Sequence, residues 1–391
     1  MVVVHALRIG SMRFPQDVPT LRDGDVTIRA HRPDDVAGSL GQSLDPVSIR
    51  WTTVPLGYTR ADADRFVRDV MPGGWAIEKE FGFAVEAVDD DGTPRFAGTI
   101  SLRDEGERRA EIAYGAHPWV RGRGVMERAL RLLLDWGFAE RGFETVIWWA
   151  HQGNWASRRV AWRLGFTIEG TARKWLAQRG ELRDAWVGTL LAGDPRHPRT
   201  PWYDTPRIAG RAVVLRSLSA ADADRVTEGC QDPETARWLG QIPQPYTLRL
   251  ARDFIESRFE EAASGRVITW AMADPSSEEL VGLINLFDIA PGAWAEVGYW
   301  VHPAARGRGV ATEATRLAVR HAFVPVEDGG LGLQRVRGIA AVGNAASRAV
   351  LSGAGLTEQG RERRHVLLGD GSRADAVLYD VLPEELASSG G

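Results

Sequence analysis

The sequence predicts two tandem domains of the α/β class, each a mixed, mostly antiparallel twisted sheet flanked by helices. Three observations carry that expectation. The chain repeats itself at long period, a proline-rich break separates the copies, and each copy runs from hairpin strands into strand–helix–strand.

The repeat is evident in order along the chain. "TIRAHRPDDV" (Thr27–Val36) matches "VLRSLSAADA" (Val214–Ala223), and the same shift aligns Asp45-Pro46 with Asp232-Pro233 and Arg50-Trp51 with Arg237-Trp238. "EIAYGAHP" (Glu111–Pro118) answers "EVGYWVHP" (Glu296–Pro303), and "NWASRRV" (Asn154–Val160) answers "NAASRAV" (Asn344–Val350). A period this long implies duplicated domains rather than a solenoid of short units. Between the copies, "AGDPRHPRTPWYDTP" (Ala192–Pro206) carries four prolines and no apolar periodicity, which reads as a semi-rigid linker. The expected division is a first domain over 1–195, a linker over 196–206 and a second domain over 207–391.

In the second copy, "RVITWAMA" and "LVGLINLF" are apolar runs around the turn-rich "DPSSEE", the pattern of a hairpin. "WAEVGYWV" is a third strand. Val310, Ala314, Leu317, Ala318 and Ala322 then recur at helical spacing. "RVRGIAAV" is a strand, "AASRAVLSGAG" a short helix closed by glycine, and "ADAVLYDVL" a final strand. The first copy reads likewise, its helix carrying Val125, Ala129, Leu132, Leu133 and Trp136.

Composition narrows the function classes. A chain of 391 residues, 44% hydrophobic and 26% charged, is ordinary globular material for two cores. No apolar run is long enough to span a bilayer, and "MVVVHALRIG" is too short for a signal peptide, so the cytoplasm is the expected location. The one cysteine, Cys230, excludes an internal disulfide and a multi-cysteine metal site, and no metal is expected. A formal charge of −4 gives no general reason to bind nucleic acid or membrane. Lys79 and Lys174 are the only lysines, which reads as codon bias rather than an arginine-driven surface.

The most informative segments are "HPAARGRGVATEA" (His302–Ala314) and "HPWVRGRGVMERA" (His117–Ala129). Each places a glycine-rich turn between a strand and an amphipathic helix. First-turn N–H groups lack intrahelical partners and the helix dipole favours anions there, so such a turn suits phosphate. An Asn-x-x-Ser-Arg follows one strand later in both copies.

These motifs resemble the GNAT superfamily of N-acetyltransferases, nearest the Rim-type N-terminal acetyltransferases, and the resemblance covers nearly the whole chain. The superfamily's pyrophosphate turn reads Gln/Arg-x-x-Gly-x-Gly/Ala, which Arg306, Gly309 and Ala311 satisfy at every position. It implies tandem GNAT folds splayed at the acyl-CoA site and acetyl-CoA, or another acyl-CoA, as donor. The pyrophosphate would rest on Arg306, Gly307, Arg308, Gly309, Val310, Ala311 and Thr312, with Val301 pairing the pantetheine arm, Asn344 holding it and Arg348 contacting a phosphate. Arg121, Gly122, Arg123, Gly124, Asn154 and Ser157 are the first copy's counterparts. That copy departs at Met126, whose long side chain either crowds a phosphate or points away and leaves the N–H available; the plain alternative is a core residue of a domain that no longer binds donor well.

Acyl transfer to nitrogen needs a proton acceptor for the amine and a proton for the leaving thiolate. Strand alternation puts Glu296, Gly298, Trp300 and His302 on one face. The resemblance makes Glu296 the expected general base, with Glu111 matching it; an exposed salt-bridged glutamate is the plain alternative. The tyrosine that many GNAT enzymes use as acid is replaced by Ala161 and Leu351. Ser347 and Ser157 are the nearest substitutes, unless they serve only as helix caps. His302 and His117 precede Pro and a tight turn, where backbone matters more than ring. Trp238 and Tyr246, with Trp51 and Tyr58, lie where the family forms its acceptor wall, although core packing is the commoner use of aromatics there. Ten of the fifteen tryptophans fall in the first half.

The sequence thus predicts an N-acetyltransferase acting on a primary amine, either a peptide or protein N-terminus or a small molecule such as an antibiotic. The second domain is expected to be the active copy. The competing class is a pseudoenzyme or scaffold with one or both domains inactive, which Met126 favours. The expected assembly is a monomer containing a pseudo-dimer, or a homodimer.

Overall fold

The computed structural model describes residues 13–388. The decapeptide "MVVVHALRIG" lies outside them. The chain divides into two compact units, Met1–Arg199 and Thr200–Gly391.

The first unit contains β1 (Leu21–Asp23), β2 (Val26–Arg29), α1 (Asp35–Leu44), α2 (Pro46–Trp51), α3 (Arg60–Arg65) and α4 (Met71–Ala76). It continues through β3 (Glu80–Val88), β4 (Pro94–Gly106), β5 (Arg109–Ala116), α5 (Val125–Ala139), β6 (Thr145–His151), α6 (Trp155–Arg163), β7 (Thr167–Gln178) and β8 (Glu181–Leu191). The second repeats the plan: β9 (Ile208–Ala209), β10 (Val214–Arg216), α7 (Ala223–Gln231), α8 (Pro233–Trp238), α9 (Leu248–Ala263), β11 (Ile268–Ala273), β12 (Leu280–Ala290) and β13 (Trp294–Val301). Then follow α10 (Val310–Phe323), β14 (Arg335–Ala341), α11 (Ala345–Gly353), β15 (Thr357–Leu367), β16 (Arg373–Val381) and α12 (Pro383–Ser388).

Each unit is one eight-stranded sheet, ordered β1-β2-β3-β4-β5-β6-β8-β7 and, in the second, β9-β10-β11-β12-β13-β14-β16-β15. All neighbours are antiparallel except β5 with β6 and β13 with β14. Those parallel pairs need a crossover, and α5 and α10 supply it. Both helices bury an apolar stripe against their sheet: Val125, Ala129, Leu130 and Leu133 in one, Val310, Ala314, Ala318 and Ala322 in the other. The opposite sheet face of the second unit is covered by α7 and α9, where Val226, Ile255, Ala271 and Leu283 form a second cluster.

The parallel ladders are short. Pairing of β13 with β14 ends at Val297↔Gly338, although β13 continues to Val301 and β14 to Ala341. In the first unit pairing ends at Ile112↔Trp148, with β5 running on to Ala116. The strands part beyond those residues, so each sheet opens in the middle toward the start of its crossover helix.

Candidate functional site: a glycine turn beside a splayed sheet

The glycine-rich turns close the open end of each sheet. Gly124 and Gly309 cap α5 and α10 at φ +72° and +76°, a left-handed conformation that favours glycine. Neither helix has a side-chain N-cap. The helical ladders begin with Arg128 N–H on the Gly124 carbonyl and Glu313 N–H on the Gly309 carbonyl, so the preceding amides are available to an anion. A Cβ on Gly122, Gly124, Gly307 or Gly309 would meet nothing within 4 Å, which leaves open space over both turns. The residues present therefore fit a bound pyrophosphate through backbone N–H groups.

The turn arginines are held from behind. Arg306 bonds Asp232 and the Thr235 hydroxyl (2.8 Å), while Arg121 bonds Asp45 (2.5 Å) and the Ser48 hydroxyl (3.2 Å). Asp45 and Asp232 are also the N-caps of α2 and α8. Each turn is thereby latched to the start of a helix in the opposite layer. Arg123 pairs with Asp90 at 2.8 Å and Arg308 lies 3.5 Å from Asp274. The repeated Asp-Pro dipeptide, which marks the duplication, is also the sequence signal of the latch.

Met126 is buried, and its side chain runs into the core. Its Cε lies 3.0 Å from where a Cβ on Gly98 would stand. In the second unit the equivalent space beside Gly282 is filled by Met272, whose Cε is 2.7 Å from the corresponding point. Met272 stands opposite Gly282 in the ladder, as Val85 stands opposite Gly98. The pair Val85/Met126 thus replaces Met272/Ala311, and the same gap is filled from the strand in one unit and the helix in the other. The Met126 side chain lies in the core, away from the open space over Gly124.

At the splay, Asn154 and Asn344 cap α6 and α11. Their side-chain oxygens accept from Ser157 N–H (3.2 Å) and Ser347 N–H (3.0 Å). The cap is the asparagine, which leaves the serine hydroxyls free for another role. Each meets a tyrosine that sequence reasoning passed over: Tyr299 and Ser347 hydroxyl oxygens are 3.0 Å apart, and Tyr114 and Ser157 are 2.7 Å apart. Trp148 Nε1–H donates to both hydroxyls of the first unit at 3.1 Å. Burial pushes both phenols up to about 12, so they stay protonated. Both tyrosines stand within the motifs that established the repeat, "EIAYGAHP" and "EVGYWVHP".

Glu296 and Glu111 occupy matching places on β13 and β5. Burial pushes both carboxyls above the ordinary range, opposed by Arg337 for Glu296 and by Arg103 for Glu111. Arg337 comes from β14, 3.1 Å away with its Nε–H directed off the carboxylate, whereas Arg103 comes from β4 at 3.2 Å. Trp238 and Trp51 lie at the asparagine loops, where a Cβ on Gly343 or Gly153 would be 3.6 or 3.5 Å from their rings.

Other candidates lie elsewhere. Tyr246 is buried in the helical layer with Cys230, and Tyr58 packs with Val36, Ala63 and Val67, so both rings serve packing rather than a cleft wall. Arg348 turns to the Tyr379 hydroxyl (3.3 Å) and Glu358 (3.7 Å), away from the glycine turn. The His302 ring is occupied by Glu228 (3.2 Å) and Ala304 N–H (3.3 Å). Val301 continues β13 past the last β14 pairing.

Residues 25–167 and 212–357 match the acetyltransferase (GNAT) domain. The chain belongs to this family, with two copies of its domain, and is an enzyme that acetylates. It is 30% identical over 177 residues to the "Putative ribosomal N-acetyltransferase YdaF" of Bacillus subtilis (strain 168), a match spanning 44% of this chain and 92% of that protein. Among solved structures, Mycobacterium smegmatis RimJ in complex with CoA-disulfide is 24% identical, with a TM-score of 0.40 over 46% of this chain and 89% of that one. A ribosomal-protein-S5-alanine acetyltransferase from Vibrio fischeri is 16% identical, with a TM-score of 0.40 over 45% and 96%. GNAT acetyltransferases use acetyl-CoA. Among the described residues no helix is long and apolar enough to cross a membrane.

Proposed function

We propose that the second unit transfers acetyl from acetyl-CoA to a primary amine, with Glu296 as proton acceptor. The observation that carries this reading is a half-buried carboxylate on β13, one residue before the last β14 pair, on the strand that runs on to a glycine turn whose amides face open space. The backbone of Gly307–Thr312 would hold the pyrophosphate, and the free edge of β13 through Val301 would hold the pantetheine arm. Bound there, acetyl-CoA supplies an acyl group on a thiolate leaving group.

Glu296, raised by burial, takes a proton from the ammonium directly or through water, leaving the nucleophilic amine. Arg337 keeps the carboxylate from becoming too basic to ionise near neutral pH. Ser347, hydrogen-bonded by Tyr299, directs a hydroxyl toward the sulfur side of the site. Trp238 packs over the loop that carries Asn344 and limits access to that end. Acceptors consistent with this site are a peptide or protein N-terminus and small-molecule amines; the Bacillus relative is named a putative ribosomal N-acetyltransferase.

The test is coenzyme A release in the full chain with an amine panel. Glu296→Gln is expected to lower kcat/KM by roughly 10²–10⁴-fold, the usual worth of a positioned base. The rate of the parent should rise with pH as the carboxyl ionises, with a midpoint above the ordinary value of about 4.3, and this acid limb should vanish in the variant. Linkage runs the other way: a carboxyl raised by folding stabilises the fold when protonated, and that stability is lost as pH rises through its folded pKa. Undiminished turnover in Glu296→Gln overturns the reading.

A further inference from the structure

We propose that the second unit holds a subsite for a second hydrogen-bond donor of its acceptor, made by Thr269 and Asn285 beside Glu296. It selects primary amines that carry another N–H or O–H group a few atoms from the reacting nitrogen. The inference rests on Glu296 as proton acceptor and adds which amines it serves.

Register places the three strands' residues in one row. Thr269 is opposite Asn285, and Asn285 is opposite Gly298, across β11, β12 and β13. Directly opposed residues share a sheet face, and Glu296 lies two residues from Gly298 on that same face. Thr269 is 4% exposed, and its Oγ1 and the Asn285 Oδ1 are both buried with no hydrogen-bond partner among the described residues. Buried polar atoms are nearly always paired. Two facing orphans on one rung, next to the proposed base, are a pair of oxygens awaiting a donor. The carboxamide and carboxylate oxygens only accept, and the hydroxyl accepts as well as donates, so the group that all three can take is an N–H or O–H.

The row is walled on both sides. A Cβ on Gly298 would lie 2.9 Å from the Phe287 ring, and Trp300 packs so closely on α7 that a Cβ on Gly229 would be 2.2 Å from its ring. Among its described residues the first unit lacks this pair. Its row is Gly82, Ser101 and Ala113. The Ser101 hydroxyl donates to Glu80 at 2.7 Å, Arg103 bonds Glu80 at 3.1 Å and Glu111 at 3.2 Å, and Met71 sulfur sits 2.3 Å from where a Cβ on Gly82 would be. The two orphan oxygens of the second unit are replaced by Gly82 and by the satisfied Ser101 hydroxyl in the first.

The experiment compares n-butylamine with propanolamine and diaminopropane as acceptors for the full chain with acetyl-CoA. The two donor-bearing amines are expected to exceed n-butylamine in kcat/KM by about tenfold or more, since leaving the orphans unmet is costly. Asn285→Leu and the near-isosteric Thr269→Val should each bring that ratio toward one. For a variant too slow to assay, calorimetric affinities of the three amines on the coenzyme A-loaded chain give the same ratio. No preference in the parent, or a ratio unmoved by both variants while Glu296→Gln abolishes transfer, overturns the subsite alone. Transfer that survives Glu296→Gln overturns the underlying assignment of the base.

Discussion

At position 126 a single side chain decides how the first unit is understood. Methionine there replaces the small residue of the family's turn, and judged alone it threatens the phosphate site. Judged with its neighbours it is half of an exchange: Val85 and Met126 fill the volume that Met272 and Ala311 fill in the other copy. Met126→Ala should therefore cost about 2–4 kcal/mol by leaving a cavity, read as a lowered denaturation midpoint. Acetyl-CoA affinity of the first unit should stay within about twofold by calorimetry. A marked gain in affinity would mean that the side chain had been crowding the turn after all. The substitution was visible in the sequence, but its partner sits on a strand some forty residues earlier, and only the register brings the two together.

Among the elements, the link between each glycine turn and the helical layer organises the site. Asp232 both caps α8 and receives Arg306, so Asp232→Ala removes an N-cap and an anchor together. The expected cost is about 1–2 kcal/mol in stability, with acetyl-CoA binding weakened at least roughly fivefold. Loss of stability without loss of affinity would limit Asp232 to capping. Elements with one buried face were legible: "WAEVGYWV" reads as β13 because Ala295 and Val297 are buried between half-buried neighbours. β7 and β15 were not, because they are exposed on both faces and carry no alternation. The helices over Ala223–Ala263 carry a weaker signal: of the two uses open to Tyr246, cleft wall or core, only the fold shows that it packs in the helical layer. Glu296 and the glycine turns were legible from motif and strand parity, whereas Tyr299 acquires meaning only from its contact with Ser347 on α11, and Thr269 and Asn285 only from strand register.

For the whole molecule, the two units share one backbone plan yet present different chemistry on the acceptor side. Both glycine turns have left-handed caps, open space and the same aspartate latch, so calorimetry of the full chain is expected to find two acetyl-CoA sites. One site per chain would show that a feature beyond the turn disables one copy. The acceptor faces differ where the turns agree: Arg103 and Ile147 flank Glu111, while Phe287 and Arg337 flank Glu296. The charge partner of each glutamate has changed sides of its strand.

The methionine exchange also bears on the history of the gene. A duplicated segment is exposed to recombination between its own copies, which tends to make them alike again. A crossover falling between the hairpin and the crossover helix would unite Val85 with Ala311, leaving a hole, or Met272 with Met126, forcing two long side chains into one space. Either hybrid begins life with a damaged core. Packing alone thus penalises homogenisation and lets the two acceptor faces drift apart undisturbed.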